Sequence, residues 1–301
     1  MATREIHQAD DRPAILFIRG FLENRMAVIG FIVLVLIVLA ALLAPLIAPQ
    51  NPYDLAHLDI LDSRLPPGTM SSDGTLTYLL GTDDQGRDML SAILYGVRIS
   101  IMVGLVSTGI AFVIGASLGL LAGYLGGRID TLIMRVADIQ LAFPSILVAL
   151  ILLALTGRGI DKIIIALVAA QWAYYARTTR ASAQVERRKE YIEAAVSLGL
   201  SPLRIMLRHL LPNCLPPLMV IAALQVAEAI SLEATLSFLG LGLPVTEPSL
   251  GLLIANGFQY LMSGKYWISF FPGIALLVTV VAINLVADRL RDLFNPRMQS
   301  E

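Results

Sequence analysis

Apolar and polar positions fall along this chain in long blocks rather than in short amphipathic steps. Residues 26–48, 99–127, 139–157 and 266–287 carry no charged side chain, and 211–242 is interrupted only by Glu228 and Glu233. A hydrocarbon core of about 30 Å asks for roughly 20 helical residues, so each block predicts a crossing. A sixth block, 163–176, is uncharged for 14 residues. That is about 21 Å of helix, which Arg177 and Arg180 could complete by snorkelling at its end. The pattern predicts an all-α integral membrane protein with six transmembrane helices.

Composition agrees. With 56% hydrophobic and 15% charged residues and a mean hydropathy of +0.74, too little polar surface remains for a water-soluble globule. The net charge of -1 excludes nucleic acid as a partner, since phosphate binding needs a clustered positive surplus. Cys214 is the only cysteine, which rules out an intrachain disulfide or a cysteine-based zinc site; it reads as a small apolar residue at a helix start. With both termini inside, sixteen of the 22 Lys and Arg residues lie on inner segments and six on outer ones. Cytoplasmic loops hold such an excess. The expected organisation is a cytoplasmic segment 1–25 with an interfacial helix at 14–22, a first span 26–48, an outer loop 49–98, a five-helix core 99–288 with a cytoplasmic loop 177–213, and a cytoplasmic tail 289–301.

The outer loop is acidic, and its prolines and Gly68 mark irregular chain without a core of its own. Thr82-Asp83-Asp84-Gln85 fits a capping box ahead of the second span. A calcium loop is excluded, because Arg87 stands where a ligand is needed and no bidentate Glu follows.

Within the bilayer, Ser107, Ala111, Gly115, Gly119, Gly123 and Gly127 form a small-residue stripe along the second span. Such stripes admit close helix packing, against the same chain or against another subunit. Pro144 predicts a kink in the third span, suited to a gate or to a static bundle. Glu228 and Glu233 are the carboxylates placed inside an apolar run, and such groups are expensive in lipid. Together with Gln171 and Gln225 they could line a polar path. Alternatively, Glu233 is hydrated near the outer interface and Glu228 bonds a neighbouring helix.

The inner loop carries the most specific pattern. Residues 181–198 contain no Gly or Pro and favour helix, and Gly199 can end it in the left-handed region. Ser201 and Pro202, as N-cap and first residue, start a second helix that Pro212 is expected to close. Ala194 and Ala195 leave one flank without bulk and Glu193 offers an ionic handle, so the helix-turn-helix reads as a docking element or as a solvated loop. The chain has no phosphate-binding loop, since Gly264-Lys265 is followed by Tyr266, and no H-E-x-x-H site; His7, His57 and His209 lie on separate segments.

The elbow resembles the EAA motif of bacterial ABC importer permeases, with Glu193-Ala194-Ala195, Gly199 and Leu211-Pro212 at matching distances. His209 departs from the usual Ile. Arg208-His209-Leu210-Leu211-Pro212-Asn213 is similar to the variant of the peptide and nickel permease subfamily. The stretches 80–88, 236–242 and 271–273, with Asn24-Arg25, resemble that subfamily's second permease subunit over essentially the whole chain. The resemblance implies a type I importer permease of the bacterial inner membrane, non-catalytic and without cofactor or metal of its own. It implies pairing with a homologous second permease, two ATPase subunits that bind ATP and Mg, and an extracytoplasmic substrate-binding protein. It further implies docking of an ATPase on Glu193, Ala194, Ala195, Gly199, Ser201, Pro202, Arg204, Arg208, His209, Leu211 and Pro212, and a di- or oligopeptide cargo, with nickel chelates or glutathione as the alternative. A stand-alone ion-coupled carrier should show an inverted repeat with paired intramembrane charges, and none is visible.

Overall fold

The helix boundaries follow from capping groups and prolines more than from the ends of the apolar blocks. A computed structural model of the chain describes residues 13–54 and 58–294; His7, His57, Arg4, Arg12 and Arg297 lie outside them. A short helix α1 (Pro13–Glu23) precedes α2 (Arg25–Leu42), whose N-cap Asn24 accepts bonds from Met26 N and Ala27 N. Pro45 would clash with the carbonyl four residues back, so the first span breaks at Leu43 and continues only as α3 (Ala44–Ile47).

The second span begins ten residues before its apolar block. Helix α4 (Met89–Leu125) is capped by Asp88, which accepts from Ser91 N at 2.8 Å and Ser91 Oγ at 2.6 Å. The capping box expected at Thr82 does not form. Thr82 Oγ instead accepts from Leu65 N at 2.7 Å and donates to the Asp62 carbonyl.

The segment expected as the third span is broken rather than kinked. Helices α5 (Gly127–Leu141) and α6 (Ser145–Thr156) meet at 90°. Pro144 lacks the N–H to continue α5 and biases Phe143 away from helical geometry. Helix α7 (Ile160–Glu186) has 27 residues, so it runs through Arg177 and Arg180 well past the 14 apolar positions. After it come α8 (Glu190–Ser197), α9 (Pro202–Ile205), α10 (Leu211–Phe238), α11 (Leu250–Phe258) and α12 (Trp267–Phe294). Among the described residues, α2, α4, the run 202–238 and α12 are long and apolar enough to cross a membrane, and the bent α5–α6 pair would make a fifth.

The small-residue stripe is a contact within the chain. A Cβ built at Gly115 would lie 2.3 Å from the Trp172 carbonyl oxygen, and one at Gly119 would lie 2.3 Å from that of Ala176. At Gly123 it would meet Ala183 Cβ at 2.8 Å, whereas Gly127 begins α5 and faces open space. Helices α4 and α7 therefore pack backbone to backbone. Helix α12 crosses both α10 and α2, with Gly30 set against Leu285.

The outer loop has a core of its own, built from polar groups. Strands β1 (Thr69–Met70) and β2 (Thr77–Tyr78) form an antiparallel hairpin. Tyr78 OH donates to Asp62 Oδ2 at 2.7 Å, and Ser72 N donates to Asp62 Oδ1 at 2.9 Å. Arg87 and Asp83, both with no exposed side-chain surface, pair at 2.6 Å, and Asp83 also accepts from Gln85 N and Arg87 N. Arg87 Nη1 reaches the Val245 carbonyl beyond α10, and Trp267 Nε1 of α12 donates to the Thr82 carbonyl at 3.2 Å. Gly81 and Gly86 hold φ of +79° and +80°, and a Cβ at Gly86 would lie 2.4 Å from the Asp59 carbonyl oxygen. These bonds satisfy most of the buried polar groups, Arg87 Nη2 and Asp84 Oδ1 excepted, and they order an acidic loop through polar contacts.

Asp84 is the weak member of this core. Burial, and secondarily the charge of Asp83, push its carboxyl above the usual range, and its buried Oδ1 has no hydrogen-bond partner. A carboxyl raised by folding contributes stability that is present below the unfolded value, roughly pH 4, and lost as pH rises through the raised value. Asp84→Asn is therefore expected to raise the unfolding midpoint at neutral pH and to change it little at pH 3. An equal gain at both values would contradict the assignment.

The coupling elbow and the intramembrane polar groups

The elbow departs from the expected pair of helices in two ways. The stretch 181–198 is not one helix: α7 ends at Glu186, and α8 restarts after Arg187, Arg188 and Lys189. Intrinsic propensity favours continuity, but the break turns Ile192 and Ala195 into the chain's own core, where they are 2% and 5% exposed. Lys189 Nζ and Tyr191 OH then bond the two Glu186 oxygens at 2.6 and 2.7 Å. Burial alone would push Glu186 up, but the Lys189 and Tyr191 bonds outweigh it and hold the carboxyl below its usual range. Burial and the same carboxylate push the Tyr191 phenol up to about 12.

The turn itself is as expected. Gly199 sits at φ +73°, Gly199 N donates to the Val196 carbonyl at 2.9 Å, and Leu200 N donates to that of Ala195 at 3.2 Å. That pair of bonds is the Schellman arrangement closing α8. Ser201 and Pro202 start α9, with Ile205 N bonding the Ser201 carbonyl, although the Ser201 hydroxyl makes no cap bond.

Pro212, by contrast, does not end the second helix. A π turn over Met206–Leu210 absorbs the missing donor, and the chain passes from α9 into α10 without interruption. Asn213 Nδ2 donates to the His209 carbonyl four residues back at 2.7 Å. The second arm of the elbow is thus the lower end of a helix that continues to Phe238.

The elbow is two-faced. Ile192, Ala195, Ile205, Met206 and Leu210 are buried with Ala116 and Leu120 of α4 and with Cys214, which is the buried apolar residue expected. Glu193, Ala194, Gly199, Ser201, Pro202, Arg204, Arg208 and Pro212 are exposed, as are Val196 and Leu198, whereas Leu203 and Leu207, also exposed, line a groove with Ala116, Leu120 and Leu121 of α4. His209 and Leu211 are half-buried. Ala195 is therefore an internal packing residue, and Ala194 alone of the alanine pair is open to a partner. Beside the elbow, Arg177 pairs with Asp138 and Arg180 with Asp130, clamping α7 to α5; Arg187 lies over the Tyr124 ring at 5.4 Å.

The four intramembrane polar residues do not form one path. Gln171 and Gln225 are buried, with Gln171 Nε2 donating to the Gln225 carbonyl at 3.0 Å and Thr108 Oγ1 near Gln171 at 3.4 Å. They knit α4, α7 and α10. Glu233 is not hydrated: it is fully enclosed and accepts from Ser100 Oγ at 2.9 Å and Ser237 Oγ at 2.8 Å. Glu228 is half-buried, 3.5 Å from Ser145 Oγ at the start of α6. The outer clamp of Asp62, Asp83, Arg87 and Trp267 is not legible as a site in the sequence, although the run 80–88 carries part of the family resemblance.

Comparison with known proteins agrees with this architecture. Residues 115–300 match the family described as binding-protein-dependent transport system inner membrane component, and the chain belongs to that family. It is thus a non-catalytic, inner-membrane permease component of an ABC transporter, a class that works with ATPase and binding-protein partners.

More narrowly, residues 13–67 match the N-terminal transmembrane domain of oligopeptide transport permease C. The chain is 40% identical to the dipeptide transport system permease protein DppC of Escherichia coli K12, over 93% of this chain and 91% of that one. It is 38% identical to the di/tripeptide transport system permease protein DppC of Pseudomonas aeruginosa, over 94% and 92%. An inward-facing structure of the MetNI methionine ABC transporter shares the fold at 22% identity, with a TM-score of 0.55 over 68% of this chain and 97% of that one.

Proposed function

We propose that this chain is one of two homologous permease subunits of an importer for di- or oligopeptides, served by an extracytoplasmic binding protein and two ATPase subunits. It crosses the inner membrane six times, with the bent α5–α6 pair and α7 as the third and fourth crossings and both termini cytoplasmic. The exposed face of the elbow seats in one ATPase subunit. ATP-driven closure of the ATPase pair then moves the elbow, and hydrolysis resets it.

The observation that carries this reading is the continuity of α9, the π turn and α10. A push on Pro202 or Arg204 acts on the same helix that carries Glu228 and Glu233 through the core, so a cytoplasmic movement reaches the bilayer as a rigid-body displacement. The peptide cargo rests on the named relatives, which align over most of both chains.

Two measurements test it. Deleting the gene should abolish uptake of a labelled dipeptide and leave nickel uptake intact; the opposite result removes the peptide cargo. Gly199→Pro should abolish co-purification of the ATPase pair, since proline can neither reach φ +73° nor donate to Val196. ATPase retained at wild-type level on that variant would refute the docking role.

A further inference from the structure

Glu228 is the one carboxylate of the spanning core whose structural role is incomplete. It lies ten residues before the end of α10 at Phe238, about 15 Å along the axis, which is half the thickness of a hydrocarbon core of about 30 Å. Glu233, one turn and a half further on, has two serine donors and no exposed surface. Glu228 has a single weak contact, the Ser145 hydroxyl at 3.5 Å, and remains half-open on the surface of the chain. None of the ion pairs among the described residues includes it. A carboxylate held at that depth without a countercharge is costly, and its retention points to a cation supplied from outside the chain.

Its surroundings are built for a small polar ligand rather than for lipid. Ser145 is the first residue of α6, immediately after the 90° break at Pro144, so Glu228 lies beside the start of a half-helix. Interrupted helices at this depth are where transporter folds place cargo contacts. Tyr174, 40% exposed, and Tyr175 lie within electrostatic reach of Glu228, and the Tyr175 hydroxyl is buried with no hydrogen-bond partner. One turn before Glu228, Gln225 Nε2 is likewise buried and unpartnered. A half-open carboxylate thus meets a broken helix at Ser145, and the unsatisfied Gln225 amide and the two tyrosines follow on the neighbouring turns of α10 and α7.

We infer that the Glu228 carboxylate is the cation-recognition point of the translocation path, receiving the free α-ammonium group of a peptide as it crosses the middle of the bilayer. The inference rests on the peptide-import reading above and adds the chemistry by which this subunit contacts its cargo. Tyr174 supplies the open aromatic and hydroxyl surface beside it, and Ser145 orients the carboxylate. Gln171 and Glu233 take no part, since both are sealed inside the chain.

The test is uptake of labelled dialanine and of its N-acetylated form in membrane vesicles holding the assembled complex, with ATP hydrolysis stimulated by the loaded binding protein as the check on assembly. Glu228→Gln is expected to lower uptake of the free-amino dipeptide by about tenfold, the loss typical of one partly desolvated ion pair, without lowering stimulated ATP hydrolysis in proportion. Glu228→Asp should recover most of the uptake. Any residual transport of the acetylated dipeptide should be the same in wild type and Glu228→Gln. Dialanine uptake by Glu228→Gln at the wild-type rate would overturn the inference while leaving peptide import standing. So would recovery of the Glu228→Gln defect on neutralising a Lys or Arg of the second permease subunit, which would make Glu228 half of an intersubunit ion pair. A wild-type complex that carries no dipeptide would remove both readings. If Glu228→Gln fails to assemble, Glu228→Cys labelled with a cationic thiol reagent serves instead, Cys214 being buried. Protection of the label by dialanine is then expected, and labelling indifferent to the peptide overturns the inference.

Discussion

Gly119→Leu is expected to abolish the stable fold, with a loss of about 3 kcal/mol or more in detergent unfolding, at the upper end of what overpacking costs. The nearest atom to the new Cβ would be the Ala176 carbonyl oxygen at 2.3 Å, with Thr179 Cβ at 2.8 Å. Neither is the tip of a flexible side chain. Relief requires α4 and α7 to separate along the whole row of close approaches, at Gly115 and Gly123 as well. In a membrane no hydrophobic driving force offsets that loss, because lipid tails are as apolar as the surfaces parted. Gly109 is the internal control. It lies on the same helix, off the stripe, with nothing within 4 Å of a built Cβ. Gly109→Ala should be neutral or stabilising by up to about 1 kcal/mol, the gain in helix propensity. Equal midpoints for Gly119→Leu and Gly109→Ala would show that the α4–α7 approach does not hold the bundle together.

Arg87→Ala is expected to cost about 3–5 kcal/mol in the outer cap, because it strands the Asp83 carboxylate in a site without solvent. The guanidinium also reaches Val245, so its loss unties the connection between α10 and α11 from the loop. The variant should show accelerated proteolysis within residues 58–88 while the α4–α7 pair stays protected. Arg87→Lys should restore little, since an ammonium cannot hold Asp83 and reach Val245 with the same planar fork. Proteolysis at the wild-type rate for Arg87→Ala would mean that the pair is dispensable and that Trp267 and the hairpin hold the cap alone.

The two substitutions probe features that stood very differently in the primary structure. The glycine row was visible as a four-residue repeat, and its period implied a close helix contact; it did not say which helix. The Asp83–Arg87 pair lay inside a recognisable motif, yet Asp83 read only as the interior of a capping box from Thr82 to Gln85, and Arg87 only as a residue that excludes a calcium loop. Capping boxes are defined by spacing alone, and Thr82 at the right spacing found a better partner in Leu65, seventeen residues back. A segment whose prolines and Gly68 marked it as coreless is ordered through hydrogen bonds, which leave no trace in residue type.

The elbow shows the same division. Gly199, Ser201 and Pro202 act locally, through φ preference and a missing donor, so their effects were legible from residue type. The break at 187–189 and the passage through Pro212 were not. The first occurs because turning Ile192 and Ala195 inward buries more than helix continuity would gain. The second occurs because a π turn over Met206–Leu210 carries the helix past the position where proline lacks a donor. Each depends on what lies across the fold.

Residue order alone determined that this protein is a helical membrane bundle, where its apolar blocks lie, that its inner loop turns at Gly199, and that one helix carries a packing stripe. These follow from transfer free energy, backbone preference and period, all of them properties of neighbours in sequence. Tertiary structure decided that the stripe seats α7, that α5 and α6 meet at a right angle, that the acidic loop closes on a buried ion pair, and that Glu233 is sealed while Glu228 stays half-open. Those outcomes depend on which groups meet across tens or hundreds of residues, and a hydrogen bond or a close contact is written in the sequence only as two separate residues.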